Sequence, residues 1–439
     1  MSDIRENSSA ACVKRTRYIN AAFGGIQMKS WRVALSFFAA AMPWAAAQSA
    51  GSNAPAVLER VVIVERHGVR PPTKAPEVLA KFAEQPWPQW SVKPGELTAH
   101  GAEALALMGG ALLRTYKREG LFASEPCPKN VFVWADSADQ RTRASGDAVL
   151  KGFGCDTPSQ HLQAGETDPL FDPIEAGLCP VDAEKAKAAA TEKLSAVLAA
   201  NKEAYERGRR EMQKILTPNG CGKAGQRECL VGEGSDTVAS KNGETRLDGP
   251  LANASGLTEN LLLEYSEGKP LCEVGWGRAA GKLDAVLPLH NLYADVMRRT
   301  PYFSSRRGSL LAQQVLDLLN GRKSSFQGAA PVPADAKFVV FLGHDTNLSN
   351  MSGFLETSWS LKGQPDHTAP DTAIAFEKWR RADGSRFVRV KVFYQTLEET
   401  WALTPINEPK SVELCGEEGC PLSEITRKIS ANISQDCLK

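Results

Sequence analysis

Three short runs of the chain are almost wholly apolar at their centres and rich in β-branched or aromatic residues: 58–65 (LERVVIVE), 131–135 (VFVWA) and 337–342 (KFVVFL). A run that is apolar at successive positions buries both of its faces, as a strand does inside a parallel sheet covered on two sides. Between these runs the period becomes helical. Over 98–118, Leu105, Met108, Leu112 and Leu113 recur at helical spacing behind Thr98, a residue suited to capping a helix start. The stretch 182–216 is rich in Ala, Lys and Glu and reads as one long helix. Its inner side carries Leu194, Val197, Leu198, Tyr205, Met212 and Ile215, and its charges form a solvated face. A Gly-rich, poorly periodic stretch follows over 217–250, then helices over 257–267 and 281–299, and 328–335 reads as a surface loop. Strands that alternate with helices predict an α/β fold with a mainly parallel sheet. The α/β core is expected over 54–181 and 296–439, with 182–295 as a smaller, mainly helical insert.

The first residues change the picture of where the chain works. Lys29 and Arg32 precede an apolar run over 33–41 that ends in Pro43-Trp44-Ala45-Ala46-Ala47, the basic, apolar and small-residue parts of a secretory signal. The apolar run is shorter than the roughly 20 residues that span a bilayer. Residues 1–47 are therefore expected to be a signal peptide, with Met28 as the effective start and a periplasmic or secreted product.

At 42% hydrophobic residues, the composition suits an ordinary soluble core. Residues 1–47 hold six of the 52 basic and two of the 51 acidic residues, which leaves the remainder at a formal charge of −3. That balance excludes a general binder of nucleic acid or anionic membrane, and a monomer is expected. Nine of the ten cysteines lie beyond the leader. In an exported protein they read as disulfides, and Cys221 with Cys229 and Cys415 with Cys420 bracket Gly-containing turns as local clips. The six histidines show no H-x-H or H-E-x-x-H spacing and no C-x-x-C occurs, so neither a metal site nor a cofactor is expected.

Each strand-like run leads into a polar cluster: Arg66-His67-Gly68-Val69-Arg70-Pro71-Pro72-Thr73-Lys74, then Asp136 to Arg143, then Gly343-His344-Asp345-Thr346-Asn347. Ligands of open parallel sheets bind beyond the carboxyl ends of the strands, so three distant segments are expected to converge on one pocket. Guanidinium groups suit phosphate oxygens because they stay charged and donate in a planar fork. An imidazole kept neutral by neighbouring arginines can attack phosphorus, and Asp345 is the candidate acid for the leaving group. Each piece also has a structural reading: a histidine satisfied by its surroundings, surface ion pairs at Arg141 and Arg143, and Asp345 as a helix cap. Their joint occurrence, in order, at strand ends favours chemistry.

The segments Arg66 to Thr73 (RHGVRPPT) and His344-Asp345-Thr346 resemble the histidine acid phosphatases, branch 2 of the histidine phosphatase superfamily. The likeness is nearest to the bacterial periplasmic phytases. It extends through Trp87-Pro88-Gln89-Trp90, Gly275-Trp276-Gly277-Arg278, Leu289-His290-Asn291, Arg299-Thr300-Pro301, Gly363-Gln364-Pro365-Asp366 and Phe376-Glu377-Lys378-Trp379-Arg380. The resemblance implies His67 as a nucleophile forming a phosphohistidine and Asp345 as proton donor. It implies phosphate binding by Arg66, Arg70, Arg141 and His344, with Thr73, Lys74, Asp136, Arg307 and Thr346 reaching further parts of the substrate. It also implies the pairs Cys127–Cys155, Cys179–Cys437, Cys221–Cys229 and Cys415–Cys420, with Cys272 unpaired. Pro71, the segment 368–372 and Gly256 depart from the family pattern. The expected partner is a small phosphorylated substrate, phytate first. A broad acid phosphatase or glucose-1-phosphatase is the alternative, and a non-catalytic binder of phosphorylated ligands is a third reading.

Overall fold

The computed structural model describes residues 55–122, 126–241, 244–416 and 418–439. The expected signal peptide lies outside these residues. The three apolar runs form strands β1 (Val57–Arg66), β2 (Val131–Ala135) and, further along, β5 (Phe338–Gly343). β5 lies between β2 and β1 and is parallel to both, with Val61 opposite Phe338 and Val131 opposite the same residue on the other side. The sheet continues from β1 through strands the apolar runs did not predict. These are β6 (Ala373–Arg380), β7 (Arg386–Tyr394) and β8 (Lys410–Glu413), all antiparallel, with the short β9 (Cys420–Pro421) also on β7. The order is β2-β5-β1-β6-β7-β8.

Alternate residues of β1 serve two cores. Val62 and Val64 face a cluster with Leu311 and Val315 of the helix Pro301–Leu319, Phe354 of the helix Asp345–Leu355 and Ile429 of the helix Leu422–Asn432. Val61 and Ile63 face Leu105, Met108 and Leu112 of the helix Ala99–Arg118 and Val149 of the helix Gln140–Gly152. This three-layer arrangement is why these strands read as continuously apolar. Thr98 caps the helix Ala99–Arg118 by accepting from the Gly101 N–H.

Between 182 and 297 the chain forms mainly helices, and a third cluster gathers Leu194, Tyr205, Met212, Leu261 and Leu289 with Leu79 and Phe303. The expected single helix over 182–216 is two, Ala183–Ala200 and Lys202–Leu216. Asn201 breaks it: its backbone leaves the helical region at φ −121°, ψ 25°, and its side-chain amide donates to the Val197 carbonyl, ending the first helix. Within 217–250 an antiparallel hairpin forms, β3 (Thr237–Lys241) with β4 (Glu244–Asp248). The helix expected over 281–299 is split at Pro288, which starts the segment Pro288–Met297 because it has no N–H to continue the preceding turn.

The structure forms the disulfides Cys127–Cys155, Cys179–Cys437, Cys221–Cys229 and Cys415–Cys420. Cys272, expected unpaired, is disulfide-bonded.

Candidate active site

The polypeptide leaves β1 at Arg66 and is pinned at once. The His67 N–H donates to the Gly343 carbonyl at 2.9 Å, the Arg66 N–H to Thr372 at 3.0 Å, and the Gly68 N–H to Ser145 Oγ at 3.1 Å. The loop then presses on the start of the helix Ala99–Arg118. A Cβ on Gly68 would lie 2.7 Å from Leu105 Cδ1 and 2.9 Å from the Gly101 carbonyl, and one on Gly101 would lie 2.6 Å from the Val69 nitrogen. Two glycines therefore allow the loop and helix to touch, and this contact aims His67.

His67 is buried, with Nδ1 2.8 Å from the Gly68 carbonyl. A carbonyl only accepts, so Nδ1 carries the hydrogen and a neutral ring has its lone pair on Nε2. Burial, then the charges of Arg141, Arg66, Arg70 and His344, hold the imidazole well below the ordinary histidine range. The sequence reading assigned this to the arginines; burial comes first. The His344 ring stands edge-on to His67, centroids 5.5 Å apart, and its Nε2 donates to Asp136 Oδ2 at 2.7 Å. Asp136, at the end of β2, is wholly buried.

Arg66, also wholly buried, donates to the Thr368 carbonyl at 2.5 Å and pairs with Glu259, which Arg70 meets at 3.2 Å. Arg141 pairs with Asp139 at 2.5 Å. Asp345 is the first residue of its helix and His344 holds the cap position, so Asp345 is not a cap. Its Oδ1 accepts from the Thr346 N–H at 2.8 Å. Its Oδ2 lies 2.5 Å from Arg298 Nη1 and 3.5 Å from His290 Nε2. Burial opposes the charge on Asp345, yet Arg298, Arg66 and His290 outweigh it and hold the carboxyl well below its usual range. Burial likewise opposes the charge on His290, but Asp366, 2.8 Å from Nδ1, and Asp345 raise it to about 9.

The structure thus brings together Arg66, His67, Arg70, Asp136, Arg141, His344 and Asp345. Thr346 adjoins them on the first helical turn and is half-buried. Thr73 and Lys74 are exposed on the rim, where a Cβ on Gly256 would lie 3.8 Å from Lys74 Nζ. Arg307 is turned to Glu175 at 3.4 Å. Four charged residues escaped the sequence reading: Glu259, His290, Arg298 and Asp366. His290 and Asp366 sit in stretches that carried the resemblance, which was the available signal. Glu259 and Arg298 follow no strand, and only docking of their helices brings them here.

A basic pocket around a neutral imidazole, at the carboxyl ends of parallel strands, is the site of a phosphoryl-transfer enzyme. Residues 57–393 match the histidine phosphatase superfamily (branch 2), and the chain belongs to that family. It is similar to the phytase AppA of Escherichia coli, 34% identical over 365 residues covering 80% of this chain and 83% of that protein. It is also similar to a glucose-1-phosphatase of Providencia rettgeri, 27% identical over 395 residues covering 86% and 90%. Among solved structures, the Hafnia alvei phytase in complex with myo-inositol hexakis sulphate superposes with TM-score 0.78 at 33% identity, covering 88% of this chain and 100% of that one. The chain is accordingly a hydrolase, a phytase-like acid phosphatase. Among the described residues no helix is long and apolar enough to cross a membrane.

Proposed function

We propose that this protein hydrolyses phosphate monoesters, phytate foremost, through a phosphohistidine at His67, and that it acts in the periplasm or outside the cell as a monomer. The observation that carries the reading is the neutral His67 ring, its Nδ1 tied to the Gly68 carbonyl, within the charges of Arg66, Arg70, Arg141 and His344. Nε2 attacks phosphorus, the phosphorus–oxygen ester bond breaks, and the ester oxygen takes a proton from Asp345. Water then attacks the phosphohistidine, its proton passes to Asp345, and the phosphorus–nitrogen bond breaks to release inorganic phosphate. Asp345 is ionised before substrate arrives; a phosphate dianion bound to Arg66, Arg70 and Arg141 raises its proton affinity by adding negative charge beside it. A highly charged substrate is supported by the likeness to two phytases, one of them solved with a hexasulphate analogue, and by the exposed cation Lys74 a few residues beyond Arg70.

The test is phosphate release at mildly acidic pH, with a chelator present, from phytate, glucose 1-phosphate, a nucleotide and nitrophenyl phosphate, for the wild type and His67→Ala. Phytate is expected to be preferred and activity abolished by the substitution. Equal rates on all four esters would reduce the reading to a broad acid phosphatase. Activity that survives His67→Ala would overturn the mechanism.

A further inference from the structure

Arg298 lies just beyond the helix Pro288–Met297, and its guanidinium is fixed from several directions. Its carbonyl accepts from Asn350 Nδ2 at 2.9 Å, and Asn350 belongs to the same helix that Asp345 begins. The guanidinium carbon stands 5.7 Å from the Tyr293 ring centre, and Nη1 is 2.5 Å from Asp345 Oδ2. The side chains of Arg298 and Asp345 are only 19% and 13% exposed, so water screens the pair weakly.

The other groups facing Asp345 are already engaged. From β1 comes Arg66, bound to Glu259. From the helix Pro250–Ser266 comes Glu259 itself, a carboxylate shared with Arg70. From the helix Pro288–Met297 comes His290, whose other nitrogen is held by Asp366. From the helix Gln140–Gly152 comes Arg141, paired with Asp139, and beside Asp345 in sequence stands His344, donating to Asp136. Bound phosphate would draw on Arg66, Arg70 and Arg141 as well, whereas Arg298 is aimed at the donor carboxylate.

We propose that Arg298 is a positioning residue for the phosphatase reaction: it orients the Asp345 carboxyl and sets the upper pH limit at which that group can donate its proton to the leaving oxygen. The inference rests on the donor role given to Asp345 above. An opposite charge at this distance moves a carboxyl by roughly 1–3 pH units. Replacing Arg298 with Gln removes the charge and keeps a polar side chain, so the donor stays protonated to higher pH.

The experiment measures kcat against pH for the wild type, Arg298→Gln, Arg298→Lys and Asp345→Asn. Each is assayed on phytate, which needs a protonated leaving group, and on nitrophenyl phosphate, which does not. In Arg298→Gln the alkaline limb on phytate is expected to move up by about one unit. Above the wild-type limb this is about a tenfold gain relative to each enzyme's own optimum. The limb on nitrophenyl phosphate stays in place, and Arg298→Lys restores the wild-type limb on phytate. Thermal melts of each variant identify any that fail to fold. An Arg298→Gln enzyme that folds, keeps its limb and loses activity equally on both esters would overturn the inference. If Asp345→Asn itself slows both esters equally, the donor role falls first; if it slows phytate selectively while the Arg298→Gln limb is unmoved, only the role of Arg298 falls.

Discussion

The charge of Arg66 has no exposure to water; burial opposes it, Asp345, Glu259 and Asp366 offset that, and Glu259 is the carboxylate it pairs with directly. Burial opposes the charge on Glu259 too, but Arg70 and Arg66 keep it ionised. Breaking a buried pair from one side leaves the other charge uncompensated, which costs about 3 kcal/mol or more. Glu259→Gln is therefore expected to lower the melting temperature of the free enzyme, and inorganic phosphate, by supplying the missing anion, to raise it more than in the wild type. Melts with and without phosphate check this, and equal phosphate shifts in both proteins would count against it. Residues of this kind were hidden in the sequence. His67, His344 and Asp345 announced themselves through short motifs at strand ends, whereas Glu259 lies in an ordinary helical stretch and its role exists only once the fold sets that helix beside Arg66 at the end of β1.

The same division holds for whole elements. Strands apolar on both faces were legible, and β2 runs over 131–135 as the sequence predicts. β6 and β7 were not, because charged residues interrupt them. Those charges are satisfied within the sheet, as Lys391 of β7 does by pairing with the buried Glu377 of β6 at 2.9 Å, and no single segment reveals such a cross-strand partner. The contact between the catalytic loop and the helix Ala99–Arg118 is also tertiary, although its glycines stood in plain view. Gly68→Ala places a methyl 2.7 Å from Leu105 Cδ1 and 2.9 Å from a backbone carbonyl that cannot turn aside. Overpacking of this kind costs about 1–3 kcal/mol. The loop must shift to relieve it, taking the His67 ring out of line. The expected result is a loss of kcat of about 100-fold or more with a modest fall in melting temperature. A variant with full activity would show that the loop tolerates the displacement.

At the scale of the molecule, the pH dependence of stability follows from groups well apart in the fold. Burial holds the carboxyls of Glu65 and Asp168 up to about 7 and that of Glu264 up to about 8, and Asp371, buried beside Glu65, is raised as well. The ordinary glutamate value is 4.5, so between there and about 8 the folded protein binds more protons than the unfolded chain and stability falls as pH rises. Two histidines act in the opposite sense. Burial first, then neighbouring cations, lower His67 and bring His367 to about 4, so the unfolded chain takes up their protons first and stability falls as pH drops below 6.5. Below 6.5 the two sets oppose each other. Above it the histidines are neutral in both states, while His290, held near 9, adds to the decline. The steepest loss should therefore lie between pH 6.5 and 8. Melting temperatures measured from pH 4.5 to 8.5 are expected to be highest on the acid side and to fall through that window. In Glu264→Gln, which keeps an acceptor for the Gly275 N–H at 2.8 Å, the fall should be shallower. A melting temperature that climbs through the same window would mean that these buried carboxyls ionise without cost.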